Sequence, residues 1–315
     1  MGNKIRYLLI ISFIVLFLYG VGRLYYGITG GFLESNISSD FSFQPHWEVR
    51  SLLPEEQREY IQAIEQSYTY LGKGCQSYVF ASEDGRYVIK FFKYQRYRLQ
   101  PWLAYFPPLP AIIKYREEKR AKKCNKLDGF VQSWKLAFEQ LKDETGLVFV
   151  HLNKTDHLNK TVTLYDKIGL RHTVDLDKME FCIQRRATML CETLLELKDK
   201  GDFLEAQRIV HRFLTMVLSE YARGLADNDH ALMQNTGVAQ GMPVHIDVGQ
   251  FVQNEAVKNP EVFHQELFTK TYKFKLWLQE HYPELATYLE EQLHQIIGPS
   301  VVAMQPKWRN KTCLE

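Results

Sequence analysis

The sequence predicts an α+β protein behind an N-terminal membrane segment, and three observations carry that prediction. Residues 7–22 are uncharged and mostly apolar, residues 68–184 are rich in Val, Ile, Tyr and Phe punctuated by turn residues, and beyond Arg186 the apolar residues recur at helical spacing. Hydrophobic residues make up 45% of the chain and charged residues 24%, which is enough apolar material for a folded core and too much for a disordered chain. The 39 lysines and arginines against 37 aspartates and glutamates leave a net charge of +2, so the concentrated positive field of a dedicated nucleic-acid binder is absent. The five cysteines show no C-x-x-C spacing, which argues against a disulfide framework or a Cys-based zinc site and for buried free thiols.

The first 33 residues form the membrane segment. The apolar run 7–22 is shorter than the ~20 residues that span a bilayer, but Arg23 can snorkel and Leu24, Tyr25 and Tyr26 suit an interface, so a single-pass anchor fits. The rival reading is a cleaved signal peptide; Gly20 and Gly22 are small, but no Ala-x-Ala follows the run. Lys4 and Arg6 before the run, against Arg23, Glu34 and Asp40 after it, place the tail in the cytoplasm and the C-terminal domain on the non-cytoplasmic side. Asn-x-Ser/Thr sequons at Asn36, Asn153, Asn159 and Asn310 fit a secretory lumen.

Residues 34–52 are Ser-rich without helical period and read as a tether, residues 53–186 as a β-rich lobe, and residues 187–315 as a mainly α lobe. Pro54-Glu55-Glu56 starts a short helix. Glu83-Asp84-Gly85 joins two strands at 68–81 and 86–92, because Gly accepts the positive φ of a tight hairpin. A helix follows over 110–126, then strands at 129–138, 146–152, 161–168 and 181–184. Helices are expected at 189–198, 204–221, 261–279 and 283–297.

Three groups of residues carry chemistry. Gly72, Gly74 and Ser77 lie in a strand–turn–strand segment, where small residues let backbone N–H groups approach a polyphosphate. Lys90 sits within the apolar strand that follows, and a buried ammonium needs an anionic partner. Glu117 shares a helical stripe with Ile113, Ala121 and Cys124 and is the partner expected for Lys90, on a helix whose basic residues read as a solvated face. The run Trp102-Leu-Ala-Tyr-Phe106 before that helix reads as lobe packing rather than bilayer contact. In the second half, pairing of 236–239 with 243–246 brings Asn235 and Asp247 side by side; an amide oxygen and a carboxylate suit Mg²⁺ that also carries substrate phosphates. Asp229 or Asp227, in the loop leading in, is placed to deprotonate a hydroxyl.

This order of glycine hairpin, strand lysine, helix glutamate, Asp-loop-Asn and Asp-x-Gly resembles the protein-kinase-like superfamily over residues 66–300, and within it the atypical, aminoglycoside-phosphotransferase-like branch. The resemblance implies a bilobal fold in which Gly72, Gly74 and Ser77 cover nucleotide phosphates and Lys90 holds them, braced by Glu117. It further implies that Asp229 is the base and that Asn235 and Asp247 bind Mg²⁺, with ATP as the nucleotide and a hydroxyl acceptor, small molecule or protein, as the second substrate. The chain departs from the family pattern at three points: no His-Arg-Asp precedes the loop, five residues rather than four separate Asp229 from Asn235, and Val248 replaces the Phe of Asp-Phe-Gly. These departures support an alternative, a pseudokinase acting as a nucleotide-binding scaffold. A third reading is a metallohydrolase using Asp229, His230, His245 and Asp247.

Overall fold

A computed structural model describes residues 2–308, so the sequon at Asn310 and Cys313 lie outside the described residues. The chain divides into two compact units, Met1–Lys123 with Phe149–Gln184, and Cys124–Val148 with Arg185–Glu315.

The first unit begins with α1 (Gly2–Thr29), in which Ile5–Thr29 is long and apolar enough to cross a membrane, a test that a signal sequence also passes. Residues 34–52 are not a bare strand of linker. They contain α2 (Glu34–Ile37) and a 3-10 turn at Pro45–Trp47, and bury Ile37 and Trp47. In α3 (Pro54–Ile64) the proline opens the helix and the Glu56 carboxylate accepts the Leu53 N–H at 2.8 Å, satisfying a donor that the helix itself leaves unbonded.

The strands β1 (Tyr68–Lys73), β2 (Ser77–Ser82) and β3 (Tyr87–Phe92) form consecutive antiparallel hairpins. Gly85 adopts φ 71° in the second turn, and the Asp84 carboxylate accepts the Arg86 N–H there. Next in chain order come α4 (Pro110–Gln140), α5 (Lys142–Thr145), β4 (Leu147–His151), β5 (Thr161–Tyr165), β6 (Arg171–Asp175) and β7 (Phe181–Arg185). The seven strands make one sheet in the order β4-β7-β3-β2-β1-β5-β6, with β1 and β5 parallel. Lys90 lies on β3, an interior strand between β7 and β2 whose six residues are all buried.

The strand expected at 129–138 is instead the second half of α4. Leu127, Phe130, Val131, Trp134, Ala137 and Phe138 are its buried apolar residues, spaced three and four apart as a helix face requires. The stripe expected earlier in that helix is not buried: Ile113, Glu117, Ala121 and Cys124 are all exposed. The cysteines are free, as expected, but of the four described only Cys182 is buried.

The second unit is mainly helical. Its core is built by α6 (Leu190–Asp199), α7 (Phe203–Ala222), α9 (Pro260–His281) and α10 (Pro283–Ile297) from side chains such as Leu194, Phe213, Val217, Leu267, Phe274 and Leu289. Each such side chain contributes roughly 1.5–3 kcal/mol when fully buried. The Asp202 carboxylate accepts the Glu205 N–H and so starts α7. Between α7 and α9 the chain forms β9 (Leu225–Asp227), α8 (Leu232–Asn235), β10 (Thr236–Ala239), β11 (Met242–His245) and β12 (Phe251–Gln253). β10 pairs with β11 and with β8 (Thr188–Met189), and β12 pairs with β9.

Candidate active site

In the second unit the β10–β11 register pairs Thr236 with His245 and Ala239 with Met242, and the Ile246 N–H donates to the Asn235 carbonyl at 2.8 Å. That bond carries the pairing one step beyond the strands, so Asn235 and Asp247 emerge at the same end of one hairpin. Gly237 permits the close approach of β8: a Cβ there would lie 2.8 Å from Ala187 Cβ and 2.9 Å from the Thr188 carbonyl. The Asp247 turn is fixed to α4, because Ser133 Oγ donates to the Val248 carbonyl and accepts the Phe251 N–H at 2.6 Å. Asp247 Oδ1 in turn accepts the Gly249 N–H at 3.2 Å.

The loop before Asn235 is anchored by Asp227. Its Oδ2 accepts from Lys270 Nζ on α9 at 2.9 Å, with both side chains almost fully buried, and its Oδ1 accepts the Asp229 N–H at 2.9 Å. Burial acts to lower the Lys270 pKa, but Asp227, Glu220 and Asp229 outweigh it and hold the ammonium charged above its ordinary range. Asp227 is thereby committed to structure. Asp229 is half-buried, spends one oxygen on the Ala231 N–H at 3.0 Å, and is the acid of this loop with an oxygen to spare.

The two histidines of the hydrolase reading point elsewhere. His245 Nε2 meets Glu220 Oε1 at 2.7 Å with both groups buried, and His230 Nε2 meets Glu266 Oε2 at 3.0 Å. Among the described residues no three His, Cys, Asp or Glu side chains cluster as a metal cage. The remaining donor set, one amide and one carboxylate, is what Mg²⁺ takes when substrate phosphates and waters complete its shell.

In the first unit Lys90 is 7% exposed and pairs in register with Val79 of β2. The turn between β1 and β2 closes on a Gly74 N–H donated to the Ser77 carbonyl at 3.0 Å, and Ser77 is buried. A Cβ at Gly72 or Gly74 would meet nothing within 4 Å, so the backbone there is open to approach. Two cations missed in the sequence surround this turn. Lys93 Nζ donates to the Gly74 carbonyl at 2.5 Å and Arg96 to the Cys75 carbonyl at 3.2 Å. Burial pushes the Lys93 pKa down to about 8, with Lys73 and Arg96 adding repulsion and Cys75 opposing them. Their spacing after Lys90, in Lys90-Phe-Phe-Lys93-Tyr-Gln-Arg96, is the signal that marks them. Glu117, by contrast, is exposed and enters no ion pair among the described residues.

No family model matches the chain, and no curated protein matches it. Among solved structures it is similar to WbdD at 14% identity, covering 74% of this chain and 46% of that one, with a TM-score of 0.35. A second structure of WbdD, described as a bifunctional kinase-methyltransferase, matches at 13% identity over 74% and 45%, with a TM-score of 0.34. The ADP-bound aminoglycoside phosphotransferase APH(2'')-Ib matches at 14% identity over 82% and 93%, with a TM-score of 0.21. The chain spans about half the length of the WbdD chains it matches.

Proposed function

We propose that this chain is a membrane-anchored phosphotransferase that uses ATP with Mg²⁺ and transfers a phosphoryl group to a hydroxyl acceptor. The observation that carries the reading is the β10–β11 register, which brings Asn235 and Asp247 to one end of a hairpin beside the Asp229 loop. Asn235 and Asp247 would hold Mg²⁺, which supplies charge neutralisation for the phosphates when bound. Lys90 binds phosphate oxygens, and Gly72, Gly74 and Ser77 offer backbone donors over them, in a turn that Lys93 and Arg96 make electropositive. Asp229 accepts the acceptor's hydroxyl proton, since Asp227 is held by Lys270. The exposure of Glu117 speaks against a standing brace on Lys90.

The charges flanking the apolar helix favour the non-cytoplasmic side for both units, where ATP would have to be supplied; protease protection in sealed vesicles tests that orientation. Asn153 does not add to the secretory argument, because it is buried with its side chain bonded to the Gln44 backbone through both amide atoms. The test of function is turnover of γ-labelled ATP by the full chain in detergent micelles. Turnover that is lost in Asp229→Asn supports the phosphotransferase. Nucleotide binding without turnover in the native chain supports the scaffold reading instead.

A further inference from the structure

We propose that the first unit makes a second, peripheral contact with the bilayer, in which Trp102, Tyr105, Phe106 and Leu109 enter the interfacial layer and the basic residues of the following helix meet the phosphates of the lipid headgroups. The inference stands apart from the phosphotransferase reading. The sequence suggested that this apolar run packs within its lobe, yet Trp102 is 52% exposed, Tyr105 88% and Leu109 55%. A soluble surface seldom leaves so many large apolar groups together in water. They form one cluster: the Trp102 and Phe106 rings meet edge to face at 5.6 Å, and Arg116 of α4 donates to the Leu103 and Phe106 carbonyls, fixing the helix to the aromatic turn.

Two properties select a bilayer over another protein. The first is chemistry: Trp and Tyr are the side chains that favour the headgroup boundary, and the adjoining stretch 114–123 carries six lysines and arginines against two glutamates, cations that suit headgroup phosphates. The second is position. Arg98, three residues before the cluster opens at Pro101, donates to the Ser38 carbonyl at 2.9 Å and pairs with Asp40 at 3.0 Å. Ser38 lies nine residues past Thr29, the end of the membrane-length helix, and nine residues reach at most about 30 Å. On the membrane-anchored reading, the root of the cluster is therefore tied to chain that has just left the bilayer.

The test uses the full chain in nanodiscs of phosphatidylcholine and phosphatidylglycerol, with and without bromine on the acyl chains near the glycerol. Tryptophan emission quenched by the brominated lipid is compared between the native chain and Trp102→Phe. The expected result is a quenched component that the variant lacks, and that shrinks when Lys114, Lys119 and Lys122 are all changed to Glu; equal quenching in the native chain and Trp102→Phe overturns the proposal. A photoreactive phenylalanine placed at Tyr105, too exposed to affect folding, gives an independent readout in cells: a lipid adduct supports the contact and a protein adduct overturns it.

Discussion

Lys270 Nζ lies 2.9 Å from Asp227 Oδ2, and the two side chains are only 4% and 3% exposed. The pair ties the end of β9 to α9 and engages the Asp227 carboxylate. Lys270→Met should cost about 3–5 kcal/mol, because it strands a buried carboxylate. Asp227→Leu added to Lys270→Met should recover most of that loss. Since the stability linked to the raised Lys270 pKa is lost only as pH climbs above an already alkaline value, urea midpoints of the native chain should show no pH dependence from Lys270 between pH 6 and 9.

Asp229 and Asp227 should separate by phenotype. Asp229→Asn keeps an oxygen for the Ala231 N–H, so its melting temperature should stay native while turnover falls by 10²-fold or more, the scale of a lost general base. Asp227→Asn should lower the melting temperature first. A native-like melt with full turnover in Asp229→Asn would remove Asp229 from the chemistry.

The ion pair that holds Asp227 was not legible in the sequence, because Lys270 stands 43 positions away. Other features were local enough to read. The Glu83-Asp84-Gly85 hairpin and the four long helices of the second unit follow from turn chemistry and periodicity, and so does the hairpin after Asn235, although its register pairs 236–239 with 242–245, one residue earlier than the expected 243–246. The second half of α4 was misread because aromatic and β-branched residues around Gly129 and Val131 favour strands, and packing of one helical face overrode that preference. β6 (Arg171–Asp175) was missed because Val174 is its one buried residue. Residues 34–52 read as a tether because Ser-rich text carries no period. The burial of Trp47, against Phe41, and of Ile37 is a tertiary event with no local signal.

Glu180 should give stability a pH dependence. Burial pushes its carboxyl up to about 7, against lowering contributions from Ser39, whose hydroxyl donates at 2.5 Å, and from Lys154. The folded state thus holds a proton that the unfolded chain, with a carboxyl near 4.5, releases. Stability from this group is complete below about pH 4.5 and is lost as pH rises through about 7, by up to roughly 3 kcal/mol. Glu180→Gln should flatten that decline in a series of urea melts from pH 5 to 8. An unchanged slope would contradict the assignment.

The end of the membrane-length helix is part of the folded unit. Phe32 is buried against Tyr78 and Phe80 at ring distances of 5.4 and 5.1 Å, and Lys73 Nζ donates to the Gly30 carbonyl at 2.6 Å. Phe32→Ala should cost about 3–5 kcal/mol and lower the melting temperature of the full chain in micelles by roughly 10 °C. Leu24→Ala, at an exposed position on α1, should leave it unchanged.

The central proposal is that the chain binds ATP with Mg²⁺ and that Lys90 and Asp247 each contribute to that binding, and thermal stability of the full chain with millimolar ATP and Mg²⁺ tests it most directly. A nucleotide bound at one hundred times its dissociation constant contributes about 2.7 kcal/mol. The native chain should therefore melt several degrees higher with ATP and Mg²⁺, and the gain should vanish in both Lys90→Met and Asp247→Ala. No gain in the native chain, or a gain that survives either substitution, would contradict the account.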